Sequence, residues 1–208
     1  MKALLLDVGN TRLKWGVLED DQIHRTGHIA MRKVREEGLG VLTSRLPRSV
    51  DAVHVSNVAG ATFGTRLSGV IGMHCECDVH FAKPERTACG VRSGYRHPRR
   101  LGVDRWVAMI GAWAELESAC VVVDAGTAVT IDAIDDQGLH LGGQIFPGVR
   151  LMFEALAAST SDIPAVGRQL SATSGLDMFG DTTSKAVQNG AWNAVAGAVD
   201  RAITTLRS

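Results

Sequence analysis

The chain has 208 residues, enough for one domain or two small lobes, and its 22 basic and 22 acidic side chains cancel to a formal net charge of zero. No basic excess points to nucleic acid or to a membrane surface. The opening MKALLLDVGN is interrupted by Asp7 too early for a signal peptide, and no run reaches the roughly 18 apolar residues of a membrane span, so a cytoplasmic protein is expected.

In chain order, Ala3–Val8 reads as a buried strand ending on Asp7, Gly9-Asn10-Thr11 as a turn, and Arg12–Glu19 as a strand alternating through Leu13, Trp15 and Val17. Gln22–Ala30 predicts a third strand, and Arg32–Leu46 a weak helix. Asp51–Val58 predicts a strand, Thr62–Met73 a short helix and Asp78–Ala82 an edge strand. Cys75 and Cys77, one residue apart, fit strand alternation and not the two-residue spacer of a structural zinc site; free thiols are expected. Residues 84–101, with Pro84, Pro98 and many arginines, read as one long loop. A helix over Leu101–Leu116 follows, carrying Trp106, Ile110 and Trp113 at helical spacing.

A second strand set opens at Cys120–Asp124. Leu139–Ile145 predicts a strand, Phe146-Pro147-Gly148 a turn, Val149–Ala158 a helix, 159–180 a loop and Thr182–Leu206 a long helix. LLLDVGNT at residues 4–11 resembles VVVDAGTA at 121–128, and Gly16–Asp20 falls opposite Ala133–Gln137 at the same offset. The repeat divides the chain into an amino-terminal lobe, 1–115, and a carboxyl-terminal lobe, 116–208, expected to face each other across a cleft.

A carboxylate at a strand end can hold a hydrated magnesium ion that bridges to phosphates, which suits Asp7. Gly9 admits a phosphate to the backbone, Asn10 and Thr11 offer neutral donors, and Lys14 adds positive charge. Asp124-Ala125-Gly126-Thr127 repeats the pattern. Because a plain turn need not repeat its chemistry, the duplication favours phosphate binding over turn statistics. In GYRHPRRLGVDRW, Gly102 precedes a helix whose first turn holds Asp104 and Arg105. Helix amino ends attract anions, Arg grips carboxylates, and Asp104 is either a general base or a helix cap; this segment alone leaves both open.

The segments DVGNTRLKWG, GYRHPRRLGVDRW, VVVDAGTAVTID and GGQIFPG, with Thr183-Ser184-Lys185-Ala186 ending at Gly190, resemble in order and spacing the type III pantothenate kinases. These belong to the acetate kinase, hexokinase and actin superfamily. The resemblance covers residues 1 to about 190 and implies an α/β fold of two ribonuclease-H-like lobes, duplicated βββα-type units around a nucleotide cleft. It implies ATP-dependent phosphorylation of pantothenate, the first step of coenzyme A synthesis. It places Asp7, Val8, Gly9, Asn10, Thr11, Arg12, Leu13 and Lys14 at the ATP phosphates, with Mg2+ held by Asp7 through water. Thr127 contacts ATP, and Asp124 holds a monovalent cation, potassium or ammonium. Tyr95, Gly102, Val103, Asp104, Arg105 and Thr183 surround pantothenate, with Asp104 as base. It further implies a homodimer with no nucleic acid or membrane partner.

The family continues past the long helix with a strand, a Gly-Gly turn and a closing helix near adenine. This sequence carries no such elements before Ser208, which fits either a naturally shortened relative or a truncated chain; if the closing elements are absent, loose adenine contacts are expected, and Thr182 stands where the resemblance implies Asn. The alternatives are a regulatory relative without turnover, resembling accessory transcription factors, and another small-molecule kinase of the superfamily. The first predicts loss of Asp104 or the phosphate turns, all of which are present. The second explains the Asp-Gly repeat but not Gly102-Val103-Asp104-Arg105.

Overall fold

A computed structural model describes residues 1–160 and 178–208. The expected loop over 159–180 lies mostly outside them. Two compact units emerge: residues 1–86 with 97–108, and residues 87–96 with 109–208. Each is an α/β unit built on a three-stranded meander.

In the first unit, β1 (Lys2–Val8), β2 (Arg12–Glu19) and β3 (Gln22–Ala30) form the antiparallel meander, and β4 (Ala52–Asn57) and β5 (Val79–Phe81) add in parallel on the other side. The sheet order β3-β2-β1-β4-β5 makes β1 central. Leu4, Leu6 and Val8 alternate onto one face and are buried with Leu13, Val17, Val53 and Val55. Each such side chain contributes about 1.5–3 kcal/mol by leaving water. That core is shared with α1 (Met31–Glu37), α2 (Gly40–Thr43) and α3 (Ala61–Cys75), through Val34, Leu42, Leu67 and Ile71. The single helix expected over Arg32–Leu46 is broken, because the chain turns at Gly38 with φ 85°, a value that favours glycine.

The Cys75–Cys77 segment is not a strand. Cys75 closes α3, and Glu76 takes a left-handed conformation at its carboxyl end. Both cysteines are free thiols. Burial, then the neighbouring Cys77, pushes the Cys75 thiol up to about 11, so it is a packed and unreactive group.

The long loop expected over 84–101 contains local structure. β6 (Thr87–Ala88) and β7 (Val91–Arg92) form a two-stranded ribbon, and Pro98–Arg100 makes one 3-10 turn. α4 (Val103–Leu116) then carries the chain from the first unit into the second.

The second unit holds β8 (Cys120–Ala125), β9 (Ala128–Ile134) and β10 (His140–Pro147) in the order β10-β9-β8. The turn expected at Phe146-Pro147 is the end of β10. One face packs Val129 and Ile131 against Val149 and Phe153 of α5 (Val149–Ser159) and Ala191 and Val195 of α6 (Thr183–Arg207). Thr182 caps α6, its hydroxyl accepting from the Lys185 amide at 3.2 Å. No helix among the described residues is long and apolar enough to cross a membrane.

Candidate active site

The duplicated turns are alike, with one difference in length. In the first, Asp7 pairs with Lys14 across the ladder, and the Gly9 amide donates to the Arg12 carbonyl at 3.0 Å. In the second, Asp124 pairs with Thr130, and the Gly126 amide donates to the Ala128 carbonyl at 3.0 Å. The second turn is thus one residue shorter. The constant offset read from the sequence therefore slips by one in the strand after the turn, and Thr130 occupies the place of Lys14.

Strand alternation explains where the two carboxylates point. Leu6 and Val8 enter the first core, so Asp7 lies on the opposite face, beside Lys14 on β2 and Ser56 on β4. Val121 packs on the second core, so Asp124, three residues on, lies on the face away from it. Each aspartate leaves its strand end on a face its helices do not cover.

Their charge environments differ. Lys14 Nζ lies 3.5 Å from Asp7 Oδ2, with the two side chains 60% and 48% exposed. An exposed pair of this kind is worth only about 0–1 kcal/mol, so it yields readily to a ligand. Asp124 is exposed and makes no ion pair among the described residues. Its ladder partner is Thr130, a neutral residue where the first turn has Lys14. The exposed positions Asn10, Thr11, Arg12 and Lys14 line the first turn, while Val8 and Leu13 are buried and serve the core.

Gly148 closes the second turn. Its amide donates to the Thr127 carbonyl at 2.9 Å, and a Cβ there would overlap the Gly126 carbonyl oxygen and stand 2.8 Å from that of Thr127. Only glycine fits this close backbone approach, which leaves the Thr127 side chain exposed.

Asp104 lies in the first turn of α4, partly buried. Its Oδ1 accepts from the Arg105 amide at 2.8 Å, and a Cβ on Gly102 would sit 2.6 Å from that oxygen. Asp104 is therefore a local cap through one oxygen; its other oxygen has no partner among the described residues. Val103 and Arg105 are buried, Arg105 at 6% exposure. Trp106 is 2% exposed, so the apolar stripe expected to offer itself to a second subunit is reduced to the half-buried Ile110 and Trp113. Tyr95 and Thr183 belong to the second unit, Tyr95 half-buried and Thr183 exposed at the start of α6.

The sequence reading missed two buried polar residues. His140 Nε2 and Asp132 Oδ1 lie 2.9 Å apart with the two residues 0% and 2% exposed, and the His140 ring stacks on Tyr95. The signal available was an aspartate inside the apolar run Val129–Ile134, where a buried carboxylate requires a partner.

The family model described as type III pantothenate kinase matches residues 3–205. The chain belongs to the type III pantothenate kinase family. A type III pantothenate kinase of Dechloromonas aromatica is 38% identical over 97% of this chain and 80% of its own length. Another, of Methylobacillus flagellatus, is 39% identical over 98% of this chain and 77% of its own. Among solved structures, a protein described as a Baf family transcriptional activator from Campylobacter jejuni superposes with a TM-score of 0.61 at 21% identity, covering 95% of this chain and 78% of that one. A Sinorhizobium meliloti protein described as a 2-dehydro-3-deoxygalactonokinase gives 0.58 at 14% identity, covering 95% and 80%. These two likenesses speak for the fold alone, an α/β fold shared over 95% of this chain.

Proposed function

We propose that this chain is a working pantothenate kinase that moves the γ-phosphoryl group of ATP to the primary hydroxyl of pantothenate. The observation that supports this most is family membership over residues 3–205 together with an intact Gly102-Val103-Asp104-Arg105 turn, in which one Asp104 oxygen remains open. The hydroxyl oxygen attacks the γ-phosphorus, the bond to the ADP oxygen breaks, and the hydroxyl proton passes to Asp104. Arg105 and the amino end of α4 provide the positive field that holds the substrate carboxylate, with Gly102, Val103, Tyr95 and Thr183 as further contacts.

Asn10, Thr11, Arg12 and Lys14 serve the ATP phosphates beside the Gly9 backbone, and Thr127 contacts the nucleotide from the second turn. Asp7, half-exposed at a strand end, suits a hydrated Mg2+, and Asp124 suits potassium or ammonium. These ions supply charge neutralisation on the phosphates. The two repeat-bearing lobes, 1–115 and 116–208, are the halves of the duplication, the enzyme works as a homodimer, and its place is the cytoplasm.

The test is an assay coupling ADP release to NADH oxidation, using wild type and Asp104→Asn. Asn keeps an oxygen for the Arg105 amide, so the cap survives while the base is lost. Turnover should fall by roughly 100- to 10,000-fold with pantothenate binding nearly intact. Near-normal turnover of the variant at saturating substrates would leave Asp104 as a cap alone.

A further inference from the structure

The pair formed by Asp132 and His140 has no part in the roles assigned so far, yet it is among the most deeply buried polar groups of the chain. Opposed residues in the antiparallel ladder share a face, so Asp124, Thr130 and Asp132 stand in one row. That row lies on the face of the second sheet turned away from its core. The His140 end of β10 reaches this face through a bulge between His140 and Gly142.

The segment before Tyr95 is fastened to the same hairpin. The Arg92 amide donates to the Gly138 carbonyl at 2.8 Å, and Arg92 bridges to Leu139. A Cβ on Gly94 would overlap the His140 carbonyl oxygen, so the backbone passes directly over it. The buried Ser93 hydroxyl accepts from the Tyr95 amide at 3.3 Å. The Tyr95 ring then lies on the His140 ring with centroids 5.6 Å apart and planes inclined by 21°.

We propose that the Asp132–His140 pair is a positioning device for Tyr95. Asp132 fixes the imidazole plane by its contact with Nε2, and the fixed plane holds the phenol ring in one orientation before substrate arrives. A half-buried tyrosine on a loop otherwise loses rotamer freedom on binding, and that loss weakens affinity; a ring held in advance avoids it. The proposal rests on the reading that Tyr95 contacts pantothenate. Its effect falls on substrate affinity and not on the chemical step. Asp132 and His140 are positioning residues, since they act through Tyr95.

Tyr95 is the sole tyrosine of the sequence, so ring-13C-tyrosine labelling of the full chain gives signals from that ring alone. In the wild type without ligand these signals should be displaced from free tyrosine and show cross-peaks to the His140 ring. His140→Gln keeps a donor for Asp132 but removes the plane. It should move the signals towards free tyrosine and raise KM for pantothenate by roughly 3- to 10-fold, with kcat and KM for ATP within about twofold. His140→Phe restores a flat ring and should recover most of the affinity. Wild-type signals at the free-tyrosine position, or a pantothenate KM unmoved by His140→Gln, would overturn the proposal. Tyr95→Ala separates the two layers. If it leaves pantothenate KM unchanged while His140→Gln still moves the ring signals, the substrate role of Tyr95 is what fails.

Discussion

At the scale of single residues, the two duplicated aspartates show how a one-residue change gives equivalent carboxylates different surroundings. Lys14 sits opposite Asp7 and can neutralise it, whereas the shorter second turn puts Thr130 opposite Asp124. A carboxylate with no paired side-chain cation attracts one from solution, while the exposed Asp7–Lys14 pair is weak enough to yield to a hydrated ion on the phosphates. Turnover should therefore require potassium or ammonium, with sodium a poor substitute, and Asp124→Asn should abolish the potassium response. Steady-state rates in potassium-only and sodium-only buffers check this; full activity in sodium would remove the cation role from Asp124. Both aspartates were legible in the sequence because a repeat exposes them. The pairing of Asp132 with His140 was not, because it depends on how β9 and β10 register across a bulge, and on a ring contact from a loop some 45 positions earlier.

At the scale of elements, period-two alternation and turn chemistry carried most of the reading. The ranges of β2 and β3 match the sequence expectation, with the Gly9-Asn10-Thr11 turn before β2 and the Asp20-Asp21 turn between the two strands. Departures occur where a local conformation overrides the pattern. A positive φ at Gly38 splits one helix into two, Glu76 turns left-handed between two cysteines that looked like a strand, and a two-residue ribbon at 87–92 is too short to leave periodicity. Gly148 gives the test at this scale. Its amide hydrogen bond to the Thr127 carbonyl and the absence of room for a Cβ make it the brace of the second duplicated turn. Gly148→Ala should force that backbone apart, costing about 1–3 kcal/mol. KM for ATP should rise more than KM for pantothenate. Thermal unfolding and steady-state kinetics read the two effects; an unchanged melting temperature with unchanged ATP affinity would show that the turn yields freely.

At the scale of the whole molecule, the duplication organises the fold: two β-meanders, each with its helices on one face and its aspartate on the other. The first unit adds two parallel strands and has the larger core, while the second rests on three strands, α5 and α6 among the described residues. Assembly is expected to be a two-fold homodimer, the commonest closed symmetry. Ile110 and Trp113 are only half-buried in a single chain and remain candidates for the contact. Light scattering at micromolar concentration should give twice the mass of the 208-residue chain, and a monomer mass would refute it.

The central claim is the chemistry itself. Phosphorus NMR of the protein with ATP, Mg2+, potassium and pantothenate follows reactants and product in one sample. The account predicts a new phosphomonoester signal growing in equal amount with ADP, absent when pantothenate is omitted. ADP formed at the same rate without pantothenate, or inorganic phosphate in place of the monoester, would contradict it.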